Sequence, residues 1–133
     1  MTQPVNGRPT LGRPARGRAA QARGVKAEQA ACVALEHDGW IVLARRLRNA
    51  AGELDVVVER DGMLAFIEVK ARPDLLSAAV ALGPRQRARL LAAGEVALAE
   101  NPGWGRNGVR FDVLLVDDAG RVRRIADAFR HEG

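Results

Sequence analysis

The chain has 133 residues, 47% of them hydrophobic and 28% charged, with a net charge of +5 and one cysteine. Such usage suits a single globular domain with one core. It excludes an internal disulfide, and no run approaches the roughly 18 apolar residues of a membrane helix, so the expected setting is the cytoplasm, with no membrane partner.

The charge is unevenly spread. Through residue 26 there are six basic residues (Arg8, Arg13, Arg16, Arg18, Arg23, Lys26) and no acid, whereas the rest of the chain carries a net charge of −1. The basic stretch is rich in Gly, Pro, Arg and Ala, lacks the apolar centre of a secretory signal, and has too little apolar surface to order itself. Residues 1–24 are therefore expected to form a flexible basic arm able to hold nucleic acid by counterion release, and residues 25–133 a single domain.

VKAEQAACVALEH, from Val25 to His37, is Ala-rich and free of Gly and Pro, and it ends at Asp38-Gly39. It predicts a helix with Glu28 in its first turn, where the macrodipole favours an acid. A strand follows from Trp40 (WIVLARRLR), then a loop through Asn49 to Gly52. GELDVVVERDGMLAFIEVK, residues 52 to 70, holds two β-branched and apolar runs around Asp61-Gly62, the signal of a two-residue hairpin turn. With Arg60 and Met63 flanking the turn, paired residue numbers sum to 123, so Asp55 opposes Glu68 and Glu53 opposes Lys70. A side-chain period of two then puts Glu53, Asp55, Val57, Glu59, Leu64, Phe66, Glu68 and Lys70 on one face. Leu54, Val56, Val58, Met63, Ala65, Ile67 and Val69 take the other.

After Ala71-Arg72-Pro73 comes a looped or loosely helical connector. Gly83-Pro84 opens a second helix, PRQRARLLAAGEVALAE, with Pro at the favoured first position. A turn rich in Gly and Asn (NPGWGRNG) leads to the strand RFDVLLVDDAG, and the segment from Arg121 adds a short strand. Helix, three strands, helix, strand makes an α/β protein with a mixed sheet flanked by helices.

Two carboxylates directly opposite each other repel, so a hairpin that carries them needs something that compensates. Clustered acids on adjacent strands form a ligand set for a hard divalent cation, which needs neither His nor Cys. Lys70, on the face of Glu68, can orient a water or stabilise charge at phosphorus. The plainer account is a solvated strand end with a Glu53–Lys70 ion pair. His37 and His131 stand at element ends without a partner motif, Cys32 reads as a small buried residue, and Asp112 as structural.

Glu28, Gly52-Glu53-Leu54-Asp55, Phe66-Ile67-Glu68-Val69-Lys70-Ala71-Arg72, Pro84-Arg85 and Arg110-Phe111-Asp112-Val113 together resemble the YraN-like family of small bacterial proteins. That family is assigned to the PD-(D/E)xK, or restriction-endonuclease-like, superfamily and is similar to archaeal Holliday-junction resolvases. The resemblance spans about residues 25 to 129 and implies a three-layer core. It implies Asp55, Glu68, Lys70 and Glu53 as catalytic residues, and Asp55, Glu68 and the backbone carbonyl of Val69 as ligands of Mg²⁺ or Mn²⁺, with Glu28 in support. Arg46, Arg48, Arg72, Arg85 and Gln86 become candidates for nucleic-acid contact. Two positions depart from the family pattern: Arg46 stands where relatives usually have Asn, and Gln86 where they usually have Lys. The implied function is a metal-dependent nuclease acting on structured or branched DNA in recombination or repair. DNA is favoured over RNA, and a homodimer is left open. The alternative is a non-catalytic nucleic-acid-binding module that keeps the nuclease fold.

Overall fold

The computed structural model describes residues 13–74 and 83–129. Its elements are α1 (Arg13–His37), β1 (Ile41–Asn49), β2 (Gly52–Arg60), β3 (Met63–Ala71), α2 (Pro84–Glu100), β4 (Gly108–Val116) and β5 (Val122–Phe129). The strands form one sheet in the order β1-β2-β3-β4-β5, antiparallel except for the parallel β3–β4 pair. Parallel neighbours need a long crossover, and α2 supplies it. This is the mixed sheet with flanking helices that the element order predicts, an α/β fold consistent with a restriction-endonuclease-like core.

Each face of the sheet carries a core. Ala27, Ala31, Cys32 and Leu35 recur along α1 at helical spacing and pack on Val56, Val58, Ala65, Ile67, Leu114 and Val116. On the other face Leu90, Ala93 and Ala97 of α2 cover Leu54, Val57, Leu64, Phe66 and Phe111. The rings of Phe66 and Phe111 lie 5.1 Å apart, and Gly94 sits over them. A Cβ at Gly94 would stand 2.9 Å from the Phe111 ring, so its absence lets the helix approach.

The hairpin turn forms as its residues require. Asp61 and Gly62 both have positive φ, 54° and 78°, which Asp-Gly tolerates and which matches the twist of the flanking strands. From Arg60↔Met63 to Val56↔Ile67 every described pair keeps the sum of 123.

Three expectations are corrected. The first helix begins at Arg13 rather than about Val25. Pro14 falls in its first turn, where a missing N–H costs nothing, and the Ala, Arg and Gln that follow are strong helix formers despite Gly17. The boundary drawn for the arm thus falls inside α1, while residues 1–12 lie outside the described residues, as do 75–82 of the connector and His131. Glu28 accordingly lies mid-helix, and a first-turn dipole cannot explain it. Leu54, expected beside Val56, packs with Val57 under α2.

The Leu54 reversal has a local cause. Ala44↔Val57 and Leu47↔Leu54 are cross-strand pairs, and all four residues pack on the α2 side. They are three apart on each strand, which a period of two forbids. The alternation breaks between them, at Arg46 and Asp55. Arg46 has φ of 51°, in the left-handed region, while its neighbours keep the register Arg45↔Val56 and Leu47↔Leu54.

Candidate functional site

The β2–β3 ladder stops one pair short of the acids. Beyond Val56↔Ile67 the Asp55 carboxylate accepts the N–H of Val69 at 2.9 Å, replacing a backbone bond with a side-chain one. That puts the carboxylate in line with the ladder, and Glu68 beside it. The two carboxyl groups lie close enough to act on each other, and a hydrogen bond between them would need a proton on Glu68. Burial first, then the hydrogen bond and the charge of Asp55, push the Glu68 carboxyl up to about 8, against a pull downward from Lys70 and Gln86. Withdrawal from water is thus a larger cause than the repulsion between the two acids.

Gln86, in the first turn of α2, donates from Nε2 to Glu68 at 3.4 Å. Lys70 is half-buried. The acids open onto a cavity of about 510 Å³ whose polar wall is Glu28, Arg46, Asp55 and Glu68, with Val69 and Ala71 of β3 and Gly24, Val25 and Ala27 of α1 completing it. Glu28 is 9% exposed and accepts from Arg46 Nε at 3.2 and 3.3 Å, with Arg45 3.8 Å away.

The structure therefore brings Asp55, Glu68, Glu28, Arg46 and Val69 to one cavity, with Lys70 and Gln86 acting on Glu68. Glu53 is not among them. It pairs with Arg48 across β1–β2 at 2.7 Å, and both side chains are exposed. Arg85 is exposed at the start of α2, and Arg72 donates from Nη1 to the carbonyl of Ala71 at 2.8 Å. Cys32 is buried and His37 exposed, as expected. Asp112 is fully buried and accepts from Arg110 Nε at 3.1 Å and Arg124 Nε at 2.8 Å, a structural role. The contribution of Arg45 to the Glu28 pair was missed; the run Arg45-Arg46 was the only signal for it.

Among the described residues no group of three acids, histidines or cysteines stands close enough to share a metal ion. The donor set is thus a carboxyl pair with a neighbouring backbone, and the third acid is occupied by arginine.

This arrangement can be set beside known proteins. A family model described as "Uncharacterised protein family UPF0102" matches residues 27–116, from the core of α1 to the end of β4. The chain belongs to the UPF0102 family. UPF0102, the YraN-like family, falls in the restriction-endonuclease-like superfamily. A UPF0102 protein of Granulibacter bethesdensis is 60% identical over 106 residues, covering 80% of this chain and 67% of that protein. Another from Acidiphilium cryptum is 55% identical over 94 residues, 69% of this chain and 71% of the relative. A third, from Azorhizobium caulinodans, is 46% identical over 107 residues, 80% and 82% of the two chains. The matched UPF0102 segment holds every residue of the cavity wall except Gly24 and Val25. No helix among the described residues is long and apolar enough to cross a membrane.

Proposed function

We propose that this UPF0102 protein is a nuclease that hydrolyses phosphodiester bonds in structured or branched DNA, with Mg²⁺ or Mn²⁺ as its cofactor, in recombination or repair. The observation that carries the reading is the Asp55–Glu68 pair, two carboxyl groups pressed together at a broken ladder end and open to a cavity. Two such carboxyls cannot both stay charged without a nearby cation, and the raised pKa of Glu68, from burial first and Asp55 next, marks a group whose charged form a bound cation would stabilise.

The donors suit a hard ion. Mg²⁺ is held by one or two carboxylates, with waters and substrate oxygens filling the remaining positions, so Asp55, Glu68 and the Val69 carbonyl would suffice without a third acid. When bound, the ion would polarise a phosphoryl oxygen and acidify a water. The chain's own groups do the rest. The Val69 N–H fixes the Asp55 carboxylate, and the Gln86 amide fixes that of Glu68. Lys70, close enough to lower the Glu68 pKa, supplies a cation for charge that builds on phosphorus. Arg85 and Arg72, near the ends of the same elements, would meet the flanking backbone.

Mn²⁺ titration followed by thermal unfolding and calorimetry, with cleavage assays on single-stranded, duplex, flap and four-way DNA, tests the reading. Wild type should be stabilised by about 2.7 kcal/mol at a hundredfold excess over Kd, and Asp55→Asn should lose that gain and all cleavage. Lys70→Ala should keep Mn²⁺ binding and lose about a hundredfold in turnover. Mn²⁺ and DNA binding without cleavage of any substrate would leave a nucleic-acid-binding module on a nuclease fold. Absence of Mn²⁺ binding would remove the reading altogether.

A further inference from the structure

One wall of the cavity is not explained by the carboxyl pair. Arg46 holds the left-handed φ of 51° in mid-strand, a conformation that costs a residue with a long side chain and that Asn adopts far more readily. Its neighbours Arg45 and Leu47 keep their partners, so this departure is local and separate from the register shift of β1 between Val42 and Ala44. Strain of this kind persists only where the surroundings hold it.

Glu28 is what holds it. Both of its oxygens take the Nε proton of Arg46, and neither hydrogen bond uses an Nη group. The acid is 9% exposed, whereas the Arg46 side chain is 55% exposed and lines the cavity with Asp55 and Glu68. A buried acid thus anchors one edge of a planar guanidinium and leaves the other edge for an acceptor, the geometry in which arginine takes a phosphate. The same contact, backed by Arg45 at 3.8 Å, occupies the Glu28 carboxylate with cations of the chain itself.

We infer that Arg46 is a positioning residue that grips a DNA phosphate on the wall beside Asp55 and Glu68, and that Glu28 is its holder rather than a metal ligand. This rests on the nuclease reading and deepens it. A phosphate held by Arg46 places the neighbouring phosphodiester against the carboxyl pair, so the guanidinium sets which phosphate is presented.

The experiment measures binding of a labelled four-way junction in Ca²⁺, between about 50 and 200 mM salt, with Mn²⁺ calorimetry on the same proteins. Arg46→Asn suits the left-handed backbone, so it should fold. It should weaken junction binding about tenfold, flatten the plot of log affinity against log salt by about one unit, and keep Mn²⁺ affinity within about twofold. Arg46→Lys should keep the slope and lose part of the affinity, because an ammonium cannot grip in two places. Glu28→Gln should leave Mn²⁺ affinity within about threefold.

An Arg46→Asn protein with wild-type slope and affinity would overturn the phosphate role and leave the nuclease reading standing. A loss of Mn²⁺ affinity beyond tenfold in Glu28→Gln would make Glu28 a ligand and overturn its role as holder. If wild type bound neither junction nor Mn²⁺, the nuclease reading itself would fall, and this inference with it.

Discussion

The two ends of the β2–β3 hairpin obey different rules. Near the turn, Asp61-Gly62 sets the register, each pair from Arg60↔Met63 to Val56↔Ile67 is in step, and Val57, Val58, Leu64 and Phe66 are buried beneath helices. At the open end the ladder stops, a carboxylate stands in for a backbone acceptor, and burial beside Asp55 pushes the Glu68 carboxyl up to about 8. The first end stabilises the fold. The second draws on that stability to keep a charge deficit open to a cavity, the usual state of a site that binds something.

Core truncation should have the largest effect. Phe66 is 1% exposed and packs on Phe111 beneath Gly94, so Phe66→Ala should cost about 3 to 5 kcal/mol in urea unfolding without metal. Asp55→Asn should stay within about 1 kcal/mol of wild type, because the amide oxygen still accepts the Val69 N–H while the repulsion with Glu68 is removed. Comparable losses in the two variants would erase the contrast between the ends and make the acid pair structural.

The pH dependence of metal-free stability comes next. The folded protein keeps the Glu68 proton up to about pH 8, whereas the unfolded chain releases it near the ordinary 4.5. In that window the folded state binds more protons, so stability is full below the lower value and falls as pH rises towards the upper one. With the partial exposure of Glu68 discounted, the fall should be on the order of 3 kcal/mol. Glu68→Gln, which keeps a neutral donor facing Asp55, should flatten it, as denaturant midpoints at a series of pH values would show. A profile in Glu68→Gln as steep as in wild type would place the titration elsewhere. In wild type, Mn²⁺ must displace the Glu68 proton, so its affinity should rise with pH over the same window.

Some of this was legible in the sequence because the signals are local. Asp61-Gly62 fixes φ and register together, Pro84 fixes the first residue of α2, and the nearness of Asp55 and Glu68 follows by counting although the ladder stops one pair before them. What escaped depends on partners distant in the chain. The side of the sheet taken by Leu54 turns on the left-handed backbone of Arg46, for which alternating hydrophobicity carries no sign. The true surroundings of Glu28 depend on α1 starting twelve residues sooner and on β1 bringing Arg45 and Arg46 under it. Charge type alone left Glu28 as a helix-dipole partner or a metal ligand, and only the packing reveals the contacts with Arg45 and Arg46.

Glu53 yields the smallest effect and the cleanest boundary of the site. Counting along the hairpin set it opposite Lys70, where it would have competed with Glu68 for the lysine. The ladder ends before that pair can form, and β1 instead presents Arg48, whose Nε reaches Glu53 at 2.7 Å in the open. Exposed ion pairs contribute little, since water screens them and two long side chains must be immobilised. Glu53→Gln should therefore leave the unfolding midpoint unchanged within error, and Mn²⁺ affinity with it. It should also leave the pH dependence assigned to Glu68 in place, because the cation acting on that carboxyl is Lys70 and Glu53 is engaged elsewhere. A Glu53→Gln protein whose stability no longer falls between pH 5 and 8 would mean that Lys70 had been released to Glu68, that the two glutamates share it in solution, and that the site extends one pair further along the hairpin than the cavity does.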